Sequence, residues 1–286
     1  MTDTTAVVTG ATSGIGLAAA RLLAEKGVYV LGVGRDARRC GQAEYSIRAA
    51  CPQARIEYVT GELGGVGSVR ELAAELADRV ERTGGGKLDI LAHVAGAVST
   101  WRMQTDEAYE MQFAVNHLAP FMLTGELMPL LRRSGGARVL AVSSGSHYRA
   151  RIRWDDVMMH RRYRCLAAYG QSKLCNILFI AELARRESDS GLSAYAFDPG
   201  LVNTDIGLKG TRGLEKFVWE RRKKRGRPPE VPAAYLAELV TAPEYAGRSG
   251  LYWKDGRVKT PSRRARDPRA QRRLWALSEE LCGTVG

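Results

Sequence analysis

The chain has 286 residues, of which 45% are hydrophobic, the length of one ordinary to large domain and the apolar content of a globular rather than a disordered protein. No run of about 18 apolar residues occurs, so no membrane span is expected, and a strand-like run already begins at Ala6, which leaves no room for a signal peptide. The formal net charge of +12 invites a nucleic-acid reading, but no RNA- or DNA-binding motif accompanies it, and five scattered cysteines without C-x-x-C spacing argue against a disulfide framework or a metal site and for a reducing cytoplasm.

Taken in chain order, short apolar runs alternate with amphipathic stretches. Residues 6–8 predict a strand, 15–26 a helix with Ala18, Leu22 and Leu23 on its inner side, and 28–33 a second strand. Residues 37–50 read as a helix that ends before Pro52, 55–59 as a strand and 69–82 as a helix. After the Gly84-Gly85-Gly86 loop come a strand at 88–94, a long helical stretch at 105–131 with an interior Pro120, and a strand at 138–143. A helix at 167–186 and a strand at 192–197 complete the rhythm. This βαβ alternation predicts an α/β fold, a Rossmann-type doubly wound parallel sheet formed by a single domain spanning 1–286.

Two stretches fall outside that rhythm. Residues 145–166 precede the 167–186 helix and carry His147, Tyr148, Trp154, Met158 and Met159; His147 is a candidate substrate contact. Residues 205–232 end in Pro228-Pro229-Glu230-Val231-Pro232 and hold Phe217 and Trp219 beside Arg221-Arg222-Lys223-Lys224-Arg225. Ligands of open α/β sheets bind beyond the carboxyl ends of the strands, so 205–232 is expected to be a substrate lid with Phe217 and Trp219 facing the pocket. A C-terminal helix, strand and tail follow at 233–286. Lys and Arg outnumber Asp and Glu by 24 to 21 over residues 1–204 and by 19 to 10 over 205–286. The positive excess therefore belongs to the last third, where a solvated basic surface or a site for an anionic ligand or acidic carrier protein would account for it.

The chemistry-bearing motifs lie at the joints between elements. Thr9-Gly10-Ala11-Thr12-Ser13-Gly14-Ile15-Gly16 runs from the first strand into the first helix. Glycines there permit a tight turn and close backbone approach, so a helix N-terminus can meet a pyrophosphate. Tyr169 and Lys173 are four residues apart on one predicted helix face. An ammonium beside a phenol favours the phenolate, which suits an acid/base for carbonyl–alcohol interconversion.

With these motifs the chain resembles the short-chain dehydrogenase/reductase family. The likeness spans roughly residues 5–204 and includes Asn116 in Val115-Asn116-His117, Ser144 after Val142-Ser143, Tyr169 with Lys173, and Asp198-Pro199-Gly200-Leu201-Val202-Asn203-Thr204. Within the family it looks like the retinol-dehydrogenase and WW-domain-oxidoreductase branch, although the N-terminal membrane anchor common among retinol dehydrogenases is not expected of it. The resemblance implies a catalytic set of Asn116, Ser144, Tyr169 and Lys173. It also implies cofactor contacts from Gly10, Ser13, Gly14, Ile15, Gly16, Glu62, Leu63, Ala95, Gly96, Tyr169, Lys173, Pro199, Gly200, Val202 and Thr204. Two positions depart from the family pattern: His93-Val94-Ala95-Gly96 replaces Asn-Asn-Ala-Gly, and Glu62-Leu63 replaces Asp-Leu.

Cofactor choice rests on the end of the second strand. Gly34-Arg35 puts no acid at the ribose position and a guanidinium beside it, with Asp36 expected to point away, so NADP(H) is favoured. The reading that follows is an NADP(H)-dependent ketoreductase or alcohol dehydrogenase acting on a sizeable, partly apolar small molecule, in secondary metabolism. A redox-inactive cofactor-binding regulator and a non-redox epimerase or lyase are the alternatives. A homodimer or homotetramer is compatible with the sequence.

Overall fold

The computed structural model describes residues 4–83, 85–204 and 224–283. Its β-branched and alanine-rich runs form β1 (Thr5–Thr9), β2 (Tyr29–Gly34), β3 (Ile56–Thr60), β4 (Ile90–His93), β5 (Arg138–Val142), β6 (Ser193–Asp198), β7 (Leu251–Lys254) and β8 (Arg257–Val258). Among the described residues these make one sheet in the order β3-β2-β1-β4-β5-β6-β7-β8. All neighbours are parallel except β7 and β8. The order reverses between β1 and β4, the kind of switch point beyond whose strand ends ligands of open α/β sheets bind.

Strand residues are buried on both faces, as a parallel sheet covered by helices requires. Val7, Leu31 and Val139 face one core, with Leu72 and Leu76 of α3 (Val66–Thr83), Phe121 and Leu123 of α5 (Ala119–Glu126), Leu130 of α6 (Met128–Ser134), and Leu178 of α7 (Cys165–Arg186). Ala6, Val8, Val30 and Leu140 face the other, with Leu23 of α1 (Gly14–Glu25), Ile47 of α2 (Ala37–Ala50) and Leu236 of α8 (Glu230–Thr241). The C-terminal helix α9 (Pro268–Cys282) lays Trp275 edge-on against Phe121, ring centroids 4.9 Å apart, and over Phe179 at 6.0 Å. No helix of the described residues is long and apolar enough to cross a membrane.

Two expectations need correction. The long helix expected at 105–131 begins only at α4 (Met111–Phe113), where the buried Glu110 carboxylate accepts the backbone N–H groups of Gln112 and Phe113. It then widens into a π-helical turn, Ala114–Leu118, before α5, and is broken again between α5 and α6. Secondly, the segment at 205–232 does not stay outside regular structure to its end. Pro228 and Pro229 lead directly into α8 at Glu230, as proline does at a helix start. Residues 205–223, with Phe217 and Trp219, lie outside the described residues. What is described is the base of that segment: Arg227 donates its N–H to Leu201 and accepts from Asn203, and its guanidinium pairs with Asp255 at 2.6 Å.

Candidate active site

The glycine turn is held by steric fit. Gly10 and Gly14 have φ of +70° and +55°, the left-handed region where a side chain is strained. A Cβ at Gly16 would stand 2.3 Å from the Gly10 carbonyl oxygen, and one at Gly10 would stand 2.8 Å from Ala95 Cα. The turn is thus wedged between α1 and the chain leaving β4. Thr9 Oγ1 accepts the N–H groups of Val94 and Ala95, both at 3.1 Å, which holds the Ala95-Gly96 segment in place. Ser13, the N-cap of α1, makes no side-chain cap bond and the first turn carries no acidic residue. A helix start left in that state favours an anion. From the far side, Thr204 brings its methyl group against Gly14, where an added Cβ would lie 2.9 Å away.

Around the end of β2 the space is similarly restricted. A Cβ at Gly34 would meet Thr12 Cγ2 at 2.4 Å and Cys40 Sγ at 2.8 Å. An acidic side chain at that position has nowhere to go. Arg35 is exposed, and Asp36 turns aside to cap α2, accepting the Arg39 N–H at 2.8 Å. Glu62 and Leu63 follow β3 next to this edge, since Gly61 N–H donates to the Gly34 carbonyl at 2.9 Å. Two contributors had no signal in the sequence motif. Tyr58 donates its hydroxyl to the Ala11 carbonyl at 2.8 Å, and Arg39 reaches the Thr12 carbonyl at 3.4 Å, adding a guanidinium beside the turn.

Beyond β4 and β5 the site is built from buried polar side chains. Tyr169 and Lys173 share one face of α7, with the Lys173 ammonium 5.7 Å from the Tyr169 ring centroid. Lys173 is almost fully buried and donates to the Val142 carbonyl at 2.9 Å; burial lowers its pKa to about 8. Asn176, one turn on, donates to the same carbonyl at 3.0 Å, and Ser143 Oγ donates to the Lys173 carbonyl at 2.7 Å. These bonds lock the end of β5, and with it Ser144, to the Lys173 face of α7. Gly170 lets the helix lie close to the turn after Ser144: a Cβ there would be 3.2 Å from the Ser146 carbonyl oxygen. Asn116 sits in the π turn with its amide fully engaged, accepting from Ala97 N–H at 2.6 Å and donating to the Ala97 carbonyl at 3.0 Å and to Ser172 Oγ at 2.9 Å. That geometry explains the widened turn, which has no trace in hydrophobic periodicity.

Of the remaining expected residues, Pro199, Gly200 and Val202 continue from β6 over the switch point. The Asp198 carboxylate accepts Gly200 N–H at 2.9 Å, and Gly200 has a φ of +73°. His147 is fully buried, with its two ring nitrogens on Ser144 O at 2.8 Å and Ser262 N at 3.1 Å. Both nitrogens are thus engaged within the protein. His93 occupies the place of the family's first amide and reaches Thr124 Oγ1 at 2.9 Å, so a polar tie from β4 persists there. Burial alone holds its pKa down to about 3.

The arrangement is a parallel α/β sheet with the glycine turn on one side of its switch point and the Tyr169–Lys173 face of α7 on the other. Residues 4–212 match the short chain dehydrogenase family. The chain belongs to that family of oxidoreductases. It is 35% identical to human retinol dehydrogenase 13, over 98% of this chain and 84% of the relative, and 35% identical to mouse polyprenol dehydrogenase with the same coverage. Among solved structures, a Mycobacterium paratuberculosis protein superposes with a TM-score of 0.73 at 30% identity, covering 98% of this chain and 93% of that one.

Proposed function

We propose that the chain is an NADP(H)-dependent oxidoreductase that interconverts a carbonyl and an alcohol on a sizeable, partly apolar small molecule. The observation that carries the reading is the Tyr169–Lys173 pair, placed on the buried face of α7 beside the end of β5. Bound nicotinamide supplies or accepts the hydride. Tyr169 gives its phenolic proton to the carbonyl oxygen in reduction and takes it back in oxidation. Lys173, held by Val142, favours the phenolate by its charge. Ser144 is the hydroxyl that orients the substrate oxygen, stabilising the negative charge that develops on it. Asn116 fixes the chain after β4 to α7 through Ala97 and Ser172.

The cradle residues fit a dinucleotide: Gly10, Ser13, Gly14, Ile15 and Gly16 would hold its pyrophosphate, with Ala95, Gly96, Glu62, Leu63, Pro199, Gly200, Val202 and Thr204 completing the cradle. The closed space at Gly34 and the two guanidiniums of Arg35 and Arg39 favour a 2′-phosphate over free ribose hydroxyls. Relatives named for retinol and polyprenol, both alcohols on long apolar chains, support the apolar substrate class. The test is Tyr169→Phe, which keeps the ring and removes the proton. NADPH oxidation with all-trans-retinal as the probe carbonyl should fall at least ~100-fold, with NADPH affinity little changed. Near-normal turnover in that variant would reject the mechanism.

A further inference from the structure

We infer that His147 is a positioning residue: it sets the backbone of Ser144 for the reaction and ties that setting to the C-terminal strap around Ser262. The inference rests on the role proposed above for Ser144.

The Ser144 carbonyl is gripped twice by the same residue. It accepts the His147 backbone N–H at 3.1 Å and the His147 Nδ1–H at 2.8 Å. The proton must sit on Nδ1, because Nε2 accepts the backbone N–H of Ser262 at 3.1 Å and so has to present its lone pair. A single neutral tautomer satisfies both bonds, and the ring has no donor or acceptor left over. Ser144 itself is extended, φ −165° and ψ 152°, and its Oγ caps the turn Gly145–Arg149 by accepting Ser146 N–H at 3.2 Å. Rotation of the Ser144 peptide would disturb the turn that this hydroxyl caps, and the doubled grip on its carbonyl opposes this.

The ring is fully enclosed. Tyr148 lies at 4.0 Å and Tyr252 at 5.0 Å between centroids. Tyr252 Oη donates to Asp198 Oδ2 at 2.7 Å, and the other oxygen of that carboxylate accepts Gly200 N–H. One cluster therefore joins the Ser144 turn to the Pro199-Gly200 segment that faces it. Two further bonds fasten the strap on the outside: Tyr148 Oη donates to Thr260 O at 2.8 Å, and Arg264 donates to Ala150 O at 3.2 Å. A residue needed only to fill space could be apolar at this point. The side chain used instead spans a catalytic peptide and a remote backbone N–H.

His147→Phe retains an aromatic ring between Tyr148 and Tyr252 but makes neither hydrogen bond. His147→Asn puts an amide N–H near the place of Nδ1–H and gives up the strap. With NADPH and all-trans-retinal, His147→Phe is expected to lower kcat about tenfold at unchanged NADPH affinity, and His147→Asn to recover most of that loss. The deciding measurement is the double variant with Ser144→Ala. If His147 acts through Ser144, adding His147→Phe to Ser144→Ala costs no further turnover. Losses that multiply, or a fall in NADPH affinity parallel to kcat, would show a general structural role and overturn the inference while leaving the proposed reaction standing. Normal turnover of Ser144→Ala alone would instead remove the reading on which the inference depends. Should His147→Phe fail to fold by thermal melting, His147→Asn carries the same double-variant comparison.

Discussion

The two halves of the site are built on opposite principles. On the β1–β3 side the cradle depends on the lack of side chains: Gly10, Gly14, Gly16 and Gly34 each stand where an added carbon would strike a neighbour. On the β4–β6 side the site depends on polar side chains sealed from water, where Asn116, Ser143, Lys173, Asn176 and His147 each hydrogen-bond at least one backbone partner. The first half should therefore fail when something is added, the second when a partner is removed. A close backbone approach cannot be relieved by a rotamer change, and a buried polar group cannot find water in place of its partner.

The largest effect expected on this comparison is at Gly16. A Cβ there lies 2.3 Å from Gly10 O and 2.7 Å from Gly10 C, both backbone atoms, and Gly10 is itself backed by Ala95. Gly16→Ala should lower stability by about 1–3 kcal/mol, the usual cost of overpacking, and weaken NADPH at least tenfold by opening the turn. Thermal melts with and without NADPH would separate the two losses; an unshifted cofactor titration would show that the turn can yield.

Next comes the charge at the cradle's edge. Arg35→Ala should cost NADPH ~1.5–3 kcal/mol of binding, the range for a charge-assisted hydrogen bond, and barely affect NADH. Binding curves for both cofactors settle this, since equal losses would mean that Arg35 does not read the phosphate. Arg39→Ala should show the same bias if both guanidiniums face that group.

The sealed half predicts acid sensitivity. Burial lowers His117 to about 3, as it does His93, and each ring has Nδ1 buried without a hydrogen-bond partner. His117 Nε2 lies 2.9 Å from Ser278 Oγ of α9, whose own proton goes to Leu274 O, so the ring donates there. Between about pH 6.5 and 3 the unfolded chain binds a proton on each histidine and the folded chain does not. Stability should therefore fall with pH across that window, by about 1.4 kcal/mol per pH unit for each ring. His117→Phe sits among Phe113, Phe121 and Phe179 and should flatten the slope by one histidine's share. A slope unaltered in urea titrations at several pH values would mean the ring is not neutral in the fold.

How much of this could be seen in the sequence follows the same division. The glycine turn, Tyr169 with Lys173, and the alternation of strands and helices up to β6 were legible because they rest on local spacing. Asn116 was found through its motif, but the π turn that carries it was not, because its cause lies at Ala97 and Ser172. The bonds of His147 were invisible for the same kind of reason: its partner Ser262 is 115 residues away. Tyr58 and Arg39 brace the cradle through contacts with Ala11 and Thr12 that no periodicity encodes.

The smallest effect expected is a control that sharpens the glycine half of the comparison. Gly41 lies in the middle of α2, and a Cβ built on it meets nothing within 4 Å. It therefore pays the conformational cost of a helical glycine without a steric reason for being one. Gly41→Ala should stabilise the protein by about 0.5–1 kcal/mol through the unfolded chain and leave NADPH affinity unchanged. The sign matters more than the size. If alanine destabilises at Gly41 as it does at Gly16, glycine in this half is required for some reason other than close backbone approach, and the contrast between the two halves loses its basis.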